Sequence, residues 1–175
     1  MKREIVIVGR GGQGVLLMGR ILGLAAIHSG LYAVATESYA AETRGGESRS
    51  DVIIADNMFE VDYVKAYYPD VLVMMFPFTP DRYRSMLKES STVFVDSEYV
   101  NPDIFAGWKT YAFKYSKLAE EKLGTRRVAN IVILGHMIKT TGWLSVDTVK
   151  KAIEEMISEK WREINLKALD LGYNL

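Results

Sequence analysis

The 175-residue sequence has no cysteine, which excludes disulfides and leaves no thiolate to bind an iron–sulfur cluster or a structural zinc. Its two histidines, His28 and His136, each lie in a helical pattern without another ligand-type residue at metal spacing. We therefore expect both histidines to be structural and predict no metal site in this chain. Cluster or metal chemistry would have to be supplied by another chain.

Net charge and long apolar runs are also missing. Lys plus Arg and Asp plus Glu number 22 each, so no overall field would attract nucleic acid or an anionic membrane. No stretch reaches the roughly 18 apolar residues that span a bilayer, and no signal-peptide pattern precedes the first strand. We therefore expect a cytoplasmic protein without nucleic-acid or membrane partners.

Short apolar runs alternate with helical patterns from residue 5 to residue 113, which is typical of parallel βαβ units. The predicted strands are Ile5–Val8, Tyr32–Thr36, Ser50–Ala55, Val71–Phe76, Thr92–Asp96 and Thr110–Phe113, and the predicted helices are 14–29, 80–87, 117–123, 130–141 and 145–171. The length suits one domain. We predict a single α/β domain over residues 1–175, with a Rossmann-like, doubly wound, mostly parallel sheet, flanking helices and a helical C-terminal part.

A glycine-rich loop follows the first apolar strand directly. Gly9, Gly11 and Gly14 have the G-x-G-x-x-G spacing, between a predicted strand and a predicted helix. In that context the glycines permit a tight turn and a close backbone approach, and the free N–H groups at the helix start face an anion. The same glycines would be needed if the helix only packed tightly on the sheet, so this loop alone leaves both interpretations open.

A second glycine-rich loop follows the second predicted strand. It carries Arg44, Gly45, Gly46 and Arg49, and arginine binds phosphate or carboxylate through two parallel hydrogen bonds. In a doubly wound sheet both loops leave the same edge, so we expect them to line one crevice.

These two segments resemble the gamma subunit, or gamma domain, of the 2-oxoacid:ferredoxin oxidoreductases of pyruvate, 2-oxoglutarate or 2-ketoisovalerate type. The resemblance rests on the Gly9–Val15 segment GRGGQGV, on the Ser38–Ile54 segment SYAAETRGGESRSDVII and, more weakly, on the Asn130–Gly135 segment NIVILG. Thr43 and Glu47 depart from the family pattern, and we expect the Glu47 carboxylate to neutralise part of an anion site beside Arg44 and Arg49.

The resemblance implies a complex that converts a 2-oxoacid, coenzyme A and oxidised ferredoxin into an acyl-CoA, carbon dioxide and reduced ferredoxin. It implies alpha, beta and ferredoxin-like delta partner subunits that hold thiamine diphosphate, magnesium and iron–sulfur clusters. The chain has no thiamine-binding G-D-G segment, so it is expected to be a non-redox subunit without catalytic residues that closes the active-site cleft and contacts coenzyme A. The predicted coenzyme A contacts are Gly9, Gly11, Gly12, Gln13, Gly14, Arg44, Gly45, Gly46 and Arg49.

Two other functions remain open from the residues. Glu37, at the end of the second strand, lies near the position of a ribose-binding acid, which would make the chain a free-standing NAD(P)-dependent oxidoreductase. A non-catalytic nucleotide-binding module is the third hypothesis. Asp96 ends another strand, where it would either contact a ligand or cap the next segment.

Overall fold

Six strands form one sheet in the computed structural model, which describes residues 1–39, 45–61 and 63–175. The strands are β1 (Lys2–Arg10), β2 (Tyr32–Tyr39), β3 (Glu47–Ala55), β4 (Val71–Met74), β5 (Thr92–Asp96) and β6 (Lys109–Phe113). Their order across the sheet is β2-β3-β1-β4-β5-β6. The pairs β1–β4, β4–β5 and β5–β6 are parallel, which confirms the predicted mostly parallel sheet.

Strand β3 is the exception, because it runs antiparallel to both β1 and β2. Only residues 40–46 connect β2 to β3, whereas a parallel crossover needs about a dozen residues or more. The expectation of βαβ units throughout is therefore wrong at this point. The antiparallel strand also separates β2 from β1 in the sheet.

The two faces of the sheet are covered unequally by helices. The helices are α1 (Val15–His28), α2 (Pro80–Arg84), α3 (Tyr115–Leu123), α4 (Ala129–Thr141), α5 (Val146–Met156) and α6 (Glu159–Tyr173). Residues of α1 and of α3 to α6 belong to the larger apolar core, whereas α2 and short turns cover the smaller core on the other face.

The predicted helix 145–171 is two helices, α5 and α6. Ile157 has extended backbone angles, with φ −101° and ψ 130°, so the chain leaves the helical path there. Ser145 caps α5 by accepting a hydrogen bond from the Asp147 N–H. The amphipathic pattern continues across the break because both helices place apolar residues in the same core.

Helices α4 and α6 cross at two glycines. A Cβ added at Gly135 would overlap the carbonyl oxygen of Leu169, and one added at Gly172 would overlap that of Val132. Backbone therefore meets backbone at this crossing, which only glycine permits. The contact fixes α4, whose N-terminal end borders the glycine-rich loop of β1.

Candidate functional site

The glycine-rich loop lies between the carboxyl end of β1 and the N-terminus of α1. Gly12 and Gly14 have φ of 94° and 76°, in the left-handed region that other residues rarely adopt. The side chain of Gln13 closes the loop, because its Oε1 accepts a hydrogen bond from the Arg10 N–H at 2.7 Å. Its Nε2 lies 3.4 Å from the Met75 carbonyl oxygen. The only glutamine of the chain thus stabilises the loop.

Gly14 is required by a contact with α4. The Nδ2 of Asn130 donates to the Gly14 carbonyl oxygen at 3.0 Å, and a Cβ at position 14 would overlap the Asn130 amide. Gly9 instead faces the first turn of α1, where an added Cβ would come within 2.8 Å of Val15 Cγ2. The close approach of helix to strand is therefore provided by Gly9, and the sequence alone did not reveal the contact with Asn130.

The two glycine-rich loops are in contact, but Gly45 and Gly46 do not line the cavity beside the first loop, so their predicted contact with coenzyme A remains a prediction. The Gly11 N–H donates to the Gly46 carbonyl oxygen at 2.9 Å, and Gly45 has a φ of 75°. Arg44, with Glu42 and Thr43, lies outside the described residues. Its predicted contact with coenzyme A remains a prediction.

A cavity of about 230 Å³ lies against the glycine-rich loop of β1, and we call it the loop cavity. Its lining comprises Arg10, Gly11, Gly12, Gln13, Met75, Tyr99, Ser116, Arg126, Arg127 and Ala129. Elements that follow β1, β4 and β5 therefore meet at one edge of the sheet. This is the edge at which open α/β sheets bind ligands.

The loop cavity has an excess of positive charge. Arg126 is paired with Glu98 at 2.5 Å and with Glu120 at 2.7 Å. Arg10 and Arg127 have no carboxylate within ion-pair distance in the described part of the chain. These two guanidinium groups lie over aromatic rings, 4.9 Å from the Phe76 centroid and 6.0 Å from the Trp161 centroid respectively.

Sequence reasoning did not assign a ligand role to Arg10 or Arg127. Arg10 lies inside the glycine motif itself, which is a signal that could have been used. For Arg127 the local sequence pattern does not distinguish a solvent-exposed charge from a group that binds an anionic partner. It lies in the turn before α4, and the contact of Asn130 with Gly14 holds the start of α4 against the loop.

Arg49 does not reach the loop cavity. It is 9% exposed, and its Nε and Nη2 bind Asp51 Oδ1 at 3.0 and 2.7 Å. Burial raises the pKa of the Asp51 carboxyl, against the opposing effect of the guanidinium group. Glu47, expected beside Arg44 and Arg49, accepts a hydrogen bond from the Tyr83 hydroxyl. Arg49 thus serves a buried ion pair, and its predicted role in coenzyme A binding remains a prediction.

Glu37 is also engaged within the protein. It accepts two hydrogen bonds from Arg20, at 2.5 and 2.9 Å, and these lower the pKa of its carboxyl. In addition, β3 lies between β2 and β1, so Glu37 is opposite Ile7 of β1 at two strand spacings, or roughly 10 Å, instead of on the strand next to β1. The NAD(P) hypothesis needs this acid beside the loop, so the geometry disfavours it.

Asp96 and the histidines have structural partners. Asp96 is fully buried and accepts hydrogen bonds from Ser116 N and Oγ at 2.9 and 2.6 Å, so it caps the start of α3, while burial raises the pKa of its carboxyl. His136 Nδ1 lies 2.8 Å from the Tyr115 hydroxyl, and His28 Nε2 lies 3.1 Å from Glu155. Among the residues that the structure describes, no three His, Cys, Asp or Glu side chains converge as a metal site.

Comparisons with known proteins agree on one family. The family model described as pyruvate ferredoxin/flavodoxin oxidoreductase matches residues 4–175. The 2-oxoglutarate synthase subunit KorC of Methanothermobacter marburgensis is 38% identical over 182 residues, which cover 100% of this chain and 97% of that protein. A solved keto/oxoacid ferredoxin oxidoreductase gamma subunit from Geobacter sulfurreducens is 36% identical, with a TM-score of 0.82 and coverage of 98% and 96% of the two chains.

The same fold is found within a longer chain. A 2-oxoglutarate:ferredoxin oxidoreductase from Magnetococcus marinus, solved with 2-oxoglutarate, coenzyme A and succinyl-CoA bound, gives a TM-score of 0.83 at 21% identity. The likeness covers 99% of this chain and 30% of that one. Within residues 1–39, 45–61 and 63–175, no helix has both the length and the apolar character that crossing a membrane requires.

Proposed function

The chain belongs to the pyruvate ferredoxin/flavodoxin oxidoreductase family as a gamma-type subunit, and we propose that it closes the active-site cleft of such a complex and binds the phosphates of coenzyme A. Membership confirms the resemblance found in the sequence. It also makes the chain a subunit of an oxidoreductase rather than a free-standing dehydrogenase.

The proposed complex oxidises a 2-oxoacid with coenzyme A and passes the electrons to ferredoxin. Thiamine diphosphate with magnesium would supply the carbanion chemistry and iron–sulfur clusters the electron transfer, all held by alpha, beta and ferredoxin-like delta partners. This chain has no cysteine to hold a cluster. Its own residues are proposed to bind and orient coenzyme A and to exclude water from the cleft.

The observation that carries this proposal is the composition of the loop cavity. Gly12 lines this cavity, and its N–H has no acceptor among the described residues. The loop leads directly into the N-terminus of α1, where a helix favours an anion. Arg10 and Arg127 add two guanidinium groups without a carboxylate partner in the described part of the chain. Backbone donors and arginines together are a common phosphate-binding arrangement. Coenzyme A in the Magnetococcus marinus structure supports the choice of ligand.

The test is the Arg10→Ala/Arg127→Ala variant in a complex rebuilt with its partner subunits. A charge-assisted hydrogen bond contributes about 1.5–3 kcal/mol, so loss of one contact should raise the KM for coenzyme A by roughly tenfold or more. The 2-oxoacid KM and the coenzyme-A-independent decarboxylation should stay unchanged. Arg84→Ala is the control, because Arg84 lies over Trp108 at 5.8 Å and away from the loop cavity. An unchanged KM for coenzyme A in an assembled double variant would refute the proposal.

The second glycine-rich loop is tested separately through Arg44. We expect Arg44→Ala to raise the coenzyme A KM in the same assay without weakening assembly. Arg49→Ala is a poorer probe, because it leaves the Asp51 carboxylate buried without its partner and destabilises the fold. Equal losses for all substrates in Arg44→Ala would indicate a purely structural loop.

A further inference from the structure

A second cavity, about 350 Å³ in volume, lies on the face of the sheet that α2 covers, and we call it the β3 cavity. Arg49 and Asp51 of β3 line it, and they stand opposite Val8 and Val6 in the sheet register. These valines belong to the smaller core, beneath α2, so the β3 cavity opens away from α1. It shares no lining residue with the loop cavity.

Three cationic side chains from separate elements converge on the β3 cavity. Arg49 comes from β3, Lys65 from the connection between β3 and β4, and Arg82 from α2. Asp51 neutralises Arg49 through the bonds described above. In the described part of the chain, no carboxylate lies within ion-pair distance of Lys65 or Arg82.

The other carboxylate nearby is already engaged. Glu47 accepts a hydrogen bond from the Tyr83 hydroxyl, and the Tyr83 ring lies 5.4 Å from the Arg49 guanidinium carbon and 5.6 Å from that of Arg82. Glu47 itself does not line the cavity. The lining keeps three cations against the single carboxylate of Asp51.

We propose that the β3 cavity binds an oxyanion, that is, a phosphate or carboxylate group, between Lys65 and Arg82. Like charges that share a cavity repel one another over a screening length of about 10 Å, so a bound anion would relieve that repulsion. Ser38 and Ser85 also line the cavity and offer hydroxyl donors, while its charge disfavours a cation. The proposal does not depend on coenzyme A binding at the loop cavity.

The proposal is tested by titrating the full chain with inorganic pyrophosphate, with binding measured by isothermal titration calorimetry and phosphorus NMR. We expect the Lys65→Gln/Arg82→Gln variant to lose at least tenfold in affinity at one site. Both side chains are exposed, so the substitutions should leave the fold intact, which circular dichroism checks. Arg84→Gln, in the same helix, is the matched control and should bind as the wild type does.

The outcomes separate this proposal from the proposed function. Arg10→Ala/Arg127→Ala should weaken binding at the other site only, so either site can fail without the other. Wild-type pyrophosphate binding by Lys65→Gln/Arg82→Gln would overturn the β3 cavity as an oxyanion site.

The anion in the cell would come either from a phosphate-bearing small molecule or from an acidic side chain of a neighbouring subunit. A small molecule predicts that pyrophosphate still binds the β3 cavity in the assembled complex. An acidic side chain predicts that assembly blocks this binding, and that Lys65→Gln/Arg82→Gln weakens assembly most at low salt.

Discussion

Gly14→Ala is expected to destabilise the protein for two separable reasons. The first is backbone strain, because a residue with a Cβ is disfavoured at a φ of 76° by about 1–2 kcal/mol. The second is the overlap of the new Cβ with the Asn130 amide, which also threatens the hydrogen bond from Asn130 to the Gly14 carbonyl. Overpacking of this kind typically costs about 1–3 kcal/mol.

Gly30→Ala is the matched control for the strain alone. Gly30 has nearly the same φ, 74°, but an added Cβ there has no neighbour within 4 Å. We therefore expect Gly30→Ala to lower the free energy of unfolding by about 1–2 kcal/mol and Gly14→Ala by about 2–5 kcal/mol. The difference between them measures the contact with Asn130.

The assay is urea denaturation with thermal unfolding as a second measurement. In a chain of this size 1 kcal/mol moves Tm by roughly 2–4 °C, so a gap of about 2 kcal/mol is readily resolved. Replacing Asn130 with alanine in the Gly14→Ala background should recover the overpacking part and leave the strain. Equal destabilisation by Gly14→Ala and Gly30→Ala would refute the argument that α4 fixes the loop through Asn130.

Three further predictions concern the helices, the buried histidine and the isolated chain. Gly172→Ala should lower the free energy of unfolding by about 2 kcal/mol or more, because the added Cβ would overlap the Val132 carbonyl. Gly23→Ala in α1, where the added Cβ makes only ordinary contacts, should raise the free energy of unfolding by about 0.5–1 kcal/mol. Equal urea midpoints for the two variants would contradict this prediction. Burial lowers the pKa of His136 in the folded protein. As the pH falls below about 6.5, the ordinary pKa of a histidine, the side chain therefore gains its proton first in the unfolded state. Stability should then fall as pH drops from 7 to 5, and less steeply in His136→Gln than in the control His28→Gln. The isolated chain should show no stoichiometric iron, no bound thiamine diphosphate and no turnover of any 2-oxoacid, as metal analysis, visible absorption and activity assays can check; activity of the chain alone would overturn its assignment as a non-redox subunit.

The sequence by itself determined the parts of the fold that depend on near neighbours. The apolar run of β1, the glycines with positive φ and the apolar helix α1 are all consequences of residues a few positions apart, so their pattern was sufficient. The meeting of the two glycine-rich loops was also predictable, because strands that run in one direction end at one edge. The family was recognisable from these same segments.

Only the tertiary structure decided which distant residues share a site. Because β3 lies between β2 and β1, Glu37 is not on the strand next to the glycine-rich loop. Because side chains alternate along a strand, Arg49 and Asp51 of β3 share one face of the sheet, where they form an ion pair. Asn130 reaches Gly14 across 116 positions of the chain, which no local pattern encodes. Strand order and helix packing set such contacts, because they depend on which elements are neighbours in space rather than in sequence.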